Sequence, residues 1–183
     1  MRVAKGVVPL ALALGLGAAP LHAQGAEFSV GGGADFPLSN FNDEANTGYH
    51  GLAAVSVVPK GSPVGIQVDG NYSRFGDNTP ADINFQLIYG TANAVYKFKT
   101  ASSSTFHPYL IGGGGVYNVK PTGNDVIPGT GSQTKFGLNA GAGFDIKAGS
   151  AGLFVESRFH DVFTEGSNIQ YLPVTAGIRF GGG

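Results

Sequence analysis

The chain contains no cysteine. That excludes a disulfide scaffold, a thiolate metal site and a cysteine nucleophile. Charge is also scarce. Asp, Glu, Lys and Arg make up 13% of the residues, against roughly 25% in an ordinary soluble domain. The net charge of −1 gives no basic surface of the kind a nucleic-acid binder needs. His50, His107 and His160 are scattered, with no H-x-x-x-H spacing and no acidic ligand loop, so no metal site is expected. Beyond the N-terminal stretch, no run reaches the roughly 18 apolar residues a transmembrane helix requires. The glycine run at 112–115 lacks the Lys-Ser/Thr and following helix of a phosphate loop. No cofactor is expected.

The first residues read as a signal peptide over 1–23. Arg2 and Lys5 precede an apolar or small stretch from Val7 to Ala19, and Ala23 supplies a small residue at a cleavage point before Gln24. The apolar core is too short to span a bilayer comfortably. Removal of Arg2 and Lys5 from 11 basic residues leaves 9 against 12 acidic ones, a net charge of −3 for residues 24–183. That segment is expected to form one domain.

What the chain does have is glycine and an alternating pattern. There are 31 glycines in 183 residues, more than twice the usual ~7%. They follow no three-residue period, which excludes collagen. The hydrophobic fraction of 42% and the regular aromatics exclude disorder. The closing stretch from Tyr171 to Phe180 shows the pattern best. Leu172, Val174, Ala176, Ile178 and Phe180 share one face; Tyr171, Pro173, Thr175, Gly177 and Arg179 share the other. A period of two marks a strand with one apolar face. Left unpaired it would be an exposed edge, so it is expected to pair with the first strand and close a barrel. Because proline cannot donate to a ladder, that pairing is expected to begin near Val174.

Seven further strands follow from the same reading: Glu27–Phe36, Tyr49–Val58, Val64–Phe75, Ile83–Lys99, Pro108–Val119, Lys135–Lys147 and Leu153–Phe163. The fourth changes phase between Tyr89 and Ala92, which predicts a β-bulge near Gly90–Thr91. The faces opposite the apolar ones hold mostly Gly, Ser, Asn and Gln. A water-facing surface would be rich in Lys, Glu and Arg, so the apolar faces are placed outside, against lipid, and the small polar ones inside a narrow lumen. The first and fifth connections, at 37–48 and 120–134, are the longest and are placed externally. Asp43, Glu44, Asp77, Asp82, Asp125 and Glu165 fall in the external loops. Lys60, Lys97, Lys99, Lys147 and Arg179 fall near the periplasmic rim. Aromatics at strand ends are expected to form two girdles. Tyr49, Tyr72, Tyr89, Tyr117, Phe136 and Phe163 would make the outer one. Phe28, Tyr96, Phe98, Tyr109, Phe144 and Phe180 would make the inner one.

Four segments in order, Phe106 to Tyr117, Phe136 to Asp145, Phe154 to His160 and Tyr171 to Phe180, resemble the small outer-membrane β-barrel family. This is the eight-stranded group related to opacity proteins and the OmpA transmembrane domain. The resemblance implies an all-β, eight-stranded antiparallel up-and-down transmembrane barrel in the bacterial outer membrane. It also implies an assembly signal, carried here by Gly177, Ile178 and Phe180 and read by the barrel-assembly machinery. The usual signal ends on the aromatic residue itself with a glycine five positions earlier. Here Gly177 lies three before Phe180, and three glycines follow.

Parity places Asp69, Asp145, Glu156, Arg158 and His160 on the inward face, joined by Asp35 and Arg179. Isolated charges there would be costly, so acid and guanidinium are expected to pair. The network reads either as a structural plug or as the lining of a narrow, porin-like passive pore. An enzyme is not expected. Ser157 and Asp161 face lipid while His160 faces inward, and His50 and Ser56 are separated by about 20 Å along one strand. A soluble ligand-binding barrel is the remaining alternative, opposed by the low charge. The expected role is structural or surface interaction, as a monomer surrounded by outer-membrane lipids, with external loops offered to a surface ligand of unknown identity.

Overall fold

The computed structural model describes residues 26–76, 83–101, 103–126, 131–148 and 151–181. Residues 1–23, Asp77, Asp82 and the last two glycines lie outside the described residues. Eight strands run in sequence: β1 (Ala26–Leu38), β2 (Gly48–Val57), β3 (Val64–Phe75), β4 (Asn84–Lys97), β5 (Phe106–Thr122), β6 (Gln133–Ala148), β7 (Ala151–Val162) and β8 (Ile169–Gly181). Each pairs antiparallel with the next, and β8 pairs with β1, closing an up-and-down barrel. A four-residue helix, α1 (Phe41–Glu44), lies in the first connection. Closure leaves no strand edge exposed, and the crossing of a membrane falls to strands.

Alternation sets the two faces. Along β3 the side chains switch between exposed and buried at every residue. The outside carries Val30, Val64, Ile66, Val68, Ile88, Leu110, Leu138, Leu153 and Ile178, all well exposed. The inside carries Ser29, Gln67, Asp69, Asn71, Thr91, Asn93, Asn139 and Thr175, all buried. The apolar exterior and polar interior are the inverse of a soluble barrel.

Three expectations need correction. No bulge occurs near Gly90–Thr91: the β3–β4 ladder runs unbroken through Asn71↔Tyr89, Gly70↔Gly90 and Asp69↔Thr91. Leu87 and Tyr89 point inward with Thr91, Asn93 and Val95. The apparent phase change arises because the lumen is polar in its middle but aromatic at the α1 rim. Tyr89 and Tyr117 at that rim, and Tyr109 nearer the opposite one, belong to the interior, with exposures of 4%, 0% and 1%, and not to the girdles. Tyr49, Tyr72, Phe136 and Phe163 do face out at the α1 rim, as do Phe28, Tyr96, Phe98 and Phe180 at the opposite one. Finally, the β1–β8 ladder does not begin at Val174. It continues through Asp35↔Pro173 and Phe36↔Leu172 to Leu38↔Gln170. The interruption lies on the other side of β8, where the pairs Ser157↔Val174 and His160↔Tyr171 flank a gap at Pro173 and Leu172. The missing proline donor is thus accommodated against β7.

Candidate functional site

Among the described residues the lumen concentrates paired charge, organised in layers. The middle layer centres on Asp69 of β3. Its carboxylate accepts hydrogen bonds from Asn71 (2.6 Å), Thr91 (2.7 Å) and Asn93 (2.8 Å), and from Gln67 at 3.4 Å. Arg158 of β7 adds a charged donor at 3.0 Å. In an eight-stranded barrel β3 and β7 are four strands apart, so this bond crosses the lumen. The Arg158 Nε also lies 2.7 Å from Glu156 Oε1, a charge contact outside hydrogen-bonding geometry. The Tyr109 hydroxyl donates to the other Glu156 oxygen at 2.8 Å. Asp69, Glu156 and Arg158 are 3%, 2% and 3% exposed. A buried charge is tolerated only when paired and hydrogen-bonded, and this cluster meets that condition.

Glycine makes room for it. A Cβ on Gly141 would lie 2.6 Å from the Arg158 Cα and 2.8 Å from its Cγ. The arginine stem therefore rests on bare backbone of β6. Gly113, beside the same layer, would bring a Cβ within 2.6 Å of the Asn93 amide oxygen.

Towards the rim that carries Ala26 and Gly181, a second cluster forms. Arg179 grips Asp145 with Nη1 at 2.7 and 2.9 Å and donates through Nε to Ser29 at 3.0 Å. Its guanidinium lies 5.1 Å from the Phe154 ring centroid and 5.4 Å from that of Tyr109. Lys97 contacts both Glu27 oxygens, at 3.0 and 2.8 Å, and reaches Asp145 at 3.6 Å. Lys97 thus points into the lumen from its rim position.

Towards the α1 rim the lining changes character. Asp35 approaches the His50 Nδ1 at 2.9 Å, without either carboxylate oxygen in hydrogen-bonding geometry. The opposite imidazole nitrogen shares a 2.8 Å hydrogen bond with the Thr175 hydroxyl. The carboxylate–imidazole–hydroxyl order resembles a hydrolytic triad, but all three groups are buried inside the barrel. His160 bonds the Tyr117 hydroxyl at 2.9 Å and stacks on Tyr171 at 4.9 Å. Tyr89 stacks on Tyr117 at 4.8 Å. Above them Phe75 meets Tyr171 edge-on at 5.5 Å, and Phe41 of α1 descends onto Phe75 at 5.0 Å. The first connection is tied to the neighbouring start of β8 and the connection before it by Ser39 to Gln170 and by Asn40 to Ser167. On the β5–β8 side of this rim a cleft of about 160 Å³ is lined by Val119, Pro121, Gln133, Lys135, Thr164 and Ile169.

Of the residues proposed from sequence, the structure joins Asp69, Glu156 and Arg158 in one cluster and Asp145 and Arg179 in another. Asp35 sits apart with His50, and His160 sits with the tyrosines. Ser157 lies on the lipid side and is not brought to His160; His50 and Ser56 face the same lumen but have separate partners. Gly177 packs close to Val30 and Phe154, while Ile178 and Phe180 face out. The sequence places Lys97 at a rim and His50 opposite no partner, and it leaves Glu27 and the tyrosine hydroxyls out of the lumen network that they join here. Inward parity was available for each of them. Their partners lie one to three strands away around the barrel.

The profile of the outer membrane protein beta-barrel domain matches residues 9–180. Among solved structures, Neisserial surface protein A is similar with a TM-score of 0.67 and 19% identity, covering 85% of this chain and 96% of that one. The attachment invasion locus protein Ail of Yersinia pestis gives a TM-score of 0.55 and 15% identity, with coverages of 86% and 99%. The outer membrane enzyme PagL gives 0.53 and 15%, with coverages of 85% and 99%. These likenesses concern the fold. No curated protein matches the sequence.

Proposed function

Because the chain belongs to the outer membrane β-barrel protein family, we propose that it serves the bacterial outer membrane as a closed barrel. In this reading its lumen is filled by its own side chains, and its external loops meet other molecules. The shorter turns of such barrels face the periplasm, which puts the α1 rim outside. The observation that carries the reading is the Arg158–Asp69 bond across the lumen at 3.0 Å. Eight strands enclose only enough room for side chains, and here those side chains are bonded to one another from wall to wall. The α1 segment closes the outer mouth with Phe41, which is 3% exposed. On this view Asp35, Asp69, Asp145, Glu156, Arg158, His160 and Arg179 hold the barrel's cross-section and carry no substrate.

The surface role rests on the loops. Asp43 and Glu44 are exposed on α1, and the first connection is pinned by Ser39 and Asn40. A pinned acidic loop is a preorganised contact surface. PagL is an enzyme on the same fold, but the carboxylate–imidazole–hydroxyl set of Asp35, His50 and Thr175 is buried in the lumen, which favours the non-enzymatic reading. Single-channel recording of the purified barrel tests the proposal. No steady conductance is expected. Regular stepwise opening would replace the plug by a narrow pore.

A further inference from the structure

We propose that the lumen beneath α1 encloses one small monovalent cation, of the sodium class, on the Asp35 carboxylate. The inference rests on the closed lumen. Failure of that reading shows as conductance, whereas failure of the site shows as an unfolding midpoint indifferent to the cation.

Asp35 is 0% exposed, and neither of its carboxylate oxygens has a hydrogen bond. Its place in the ladders explains why. Its neighbours across the two ladders are Gly48 on β2 and Pro173 on β8, and neither offers a side-chain donor. His50 lies 2.9 Å away, but its Nδ1 is out of hydrogen-bonding geometry. Two further oxygens in this part of the lumen are buried without partners, Ser73 Oγ and the Tyr171 hydroxyl. Ser73 stands opposite His50 in the β2–β3 register. Tyr171 lies on β8 opposite Pro37, two residues along β1 from Asp35. The Asp35 charge acts on the hydroxyls of Tyr89 and Tyr171, whose rings lie 6.3 Å apart. Phe41 and Phe75, 3% and 0% exposed, roof the group.

Charge selects the occupant. At the rim of Ala26 and Gly181, Glu27 and Asp145 are matched by Lys97 and Arg179. In the middle layer Asp69 and Glu156 share Arg158. Asp35 meets no lysine or arginine among the described residues. A buried carboxylate without a counter-charge is costly. Water would supply donors and leave the charge in place. A small hard cation supplies the charge and takes oxygen ligands, which the carboxylate and the Ser73 and Tyr171 hydroxyls provide. No group of three or more acids and imidazoles suited to a metal gathers among the described residues, which favours a monovalent ion over a divalent one.

The test refolds the full barrel from urea into neutral detergent, in sodium chloride or in N-methyl-D-glucamine chloride at equal ionic strength. The gel-mobility midpoint is then compared. Sodium at about a hundred times its dissociation constant should raise the parent's midpoint by roughly 5–11 °C. Asp35→Asn should show no difference between the salts. Asp161→Asn makes the same charge change on the outward face of β7 and should keep the full shift. If Asp35→Asn does not assemble, Ser73→Ala carries the comparison and should reduce the shift. In crystals of the parent grown with thallium(I), anomalous scattering should place one ion at Asp35. A midpoint that is equal in the two salts, or that follows pH alone as a proton on His50 would dictate, overturns the proposal. So does an equal shift in Asp35→Asn, or thallium absent from Asp35.

Discussion

Replacing Arg158 by methionine should cost the barrel about 3 kcal/mol. Methionine keeps the stem that lies over Gly141 and removes only the charge and its donors. Removing one partner of a buried pair costs about 3–5 kcal/mol, because the other charge is left behind. Here two carboxylates are left. Asp69 retains Asn71, Thr91 and Asn93 at 2.6, 2.7 and 2.8 Å, and Glu156 retains the Tyr109 hydroxyl. Those neutral donors place the loss at the lower end of the range. For a domain of this size, 1 kcal/mol corresponds to roughly 2–4 °C in the unfolding midpoint, so the expected drop is about 6–12 °C. The chain contains no tryptophan, which makes the gel-mobility difference between folded and heated barrel the practical readout. The triple variant Asp69→Asn/Glu156→Gln/Arg158→Met removes all three charges together and should recover most of the loss, since no buried charge is then unpaired. The reasoning is refuted if the single variant lies within about 0.5 kcal/mol of the parent, or if the triple variant is less stable than the single.

Other outcomes follow from the same layers. Gly141→Val places a branched side chain where the Arg158 stem rests and should destabilise by about 1–3 kcal/mol, seen as a lowered midpoint in the same gel assay. Thr175→Val removes the hydroxyl bonded to His50 and leaves a buried imidazole nitrogen unpaired, at a cost of about 1–3 kcal/mol; in His50→Phe the same substitution should have little effect. Phe41→Ala withdraws the aromatic wedge from the α1 mouth and should cost about 3 kcal/mol, measured by urea unfolding in vesicles. Removal of residues 1–23 predicts that the intact mass of the membrane form corresponds to a chain starting at Gln24.

The fold was legible because lipid-facing strands alternate without exception over long stretches. In β3 the sequence-derived limits Val64 and Phe75 coincide with the observed ones, and inward parity located Asp69, Glu156 and Arg158. The pattern misled where the interior itself turns apolar. Leu87 and Tyr89 looked lipid-facing because their side chains are apolar, yet they pack in the lumen with Phe75, Tyr117, Val162 and Tyr171. Alternation states which residues share a face and is silent on which face a tyrosine prefers. Nor does it say who meets whom across the barrel. The bonds of Glu27 to Lys97 and of Arg158 to Asp69 join residues 70 and 89 positions apart. Such pairs depend on the stagger of the strands around the barrel. Strand parity does not encode that stagger.

Ion flux across proteoliposomes shows whether side chains close the lumen. Vesicles carrying the parent barrel should release trapped ions no faster than empty vesicles. Vesicles carrying Asp69→Ala/Glu156→Ala/Arg158→Ala, confirmed as folded by gel mobility, should release them measurably faster. Equal, rapid release from the parent and the truncated barrel would contradict the account.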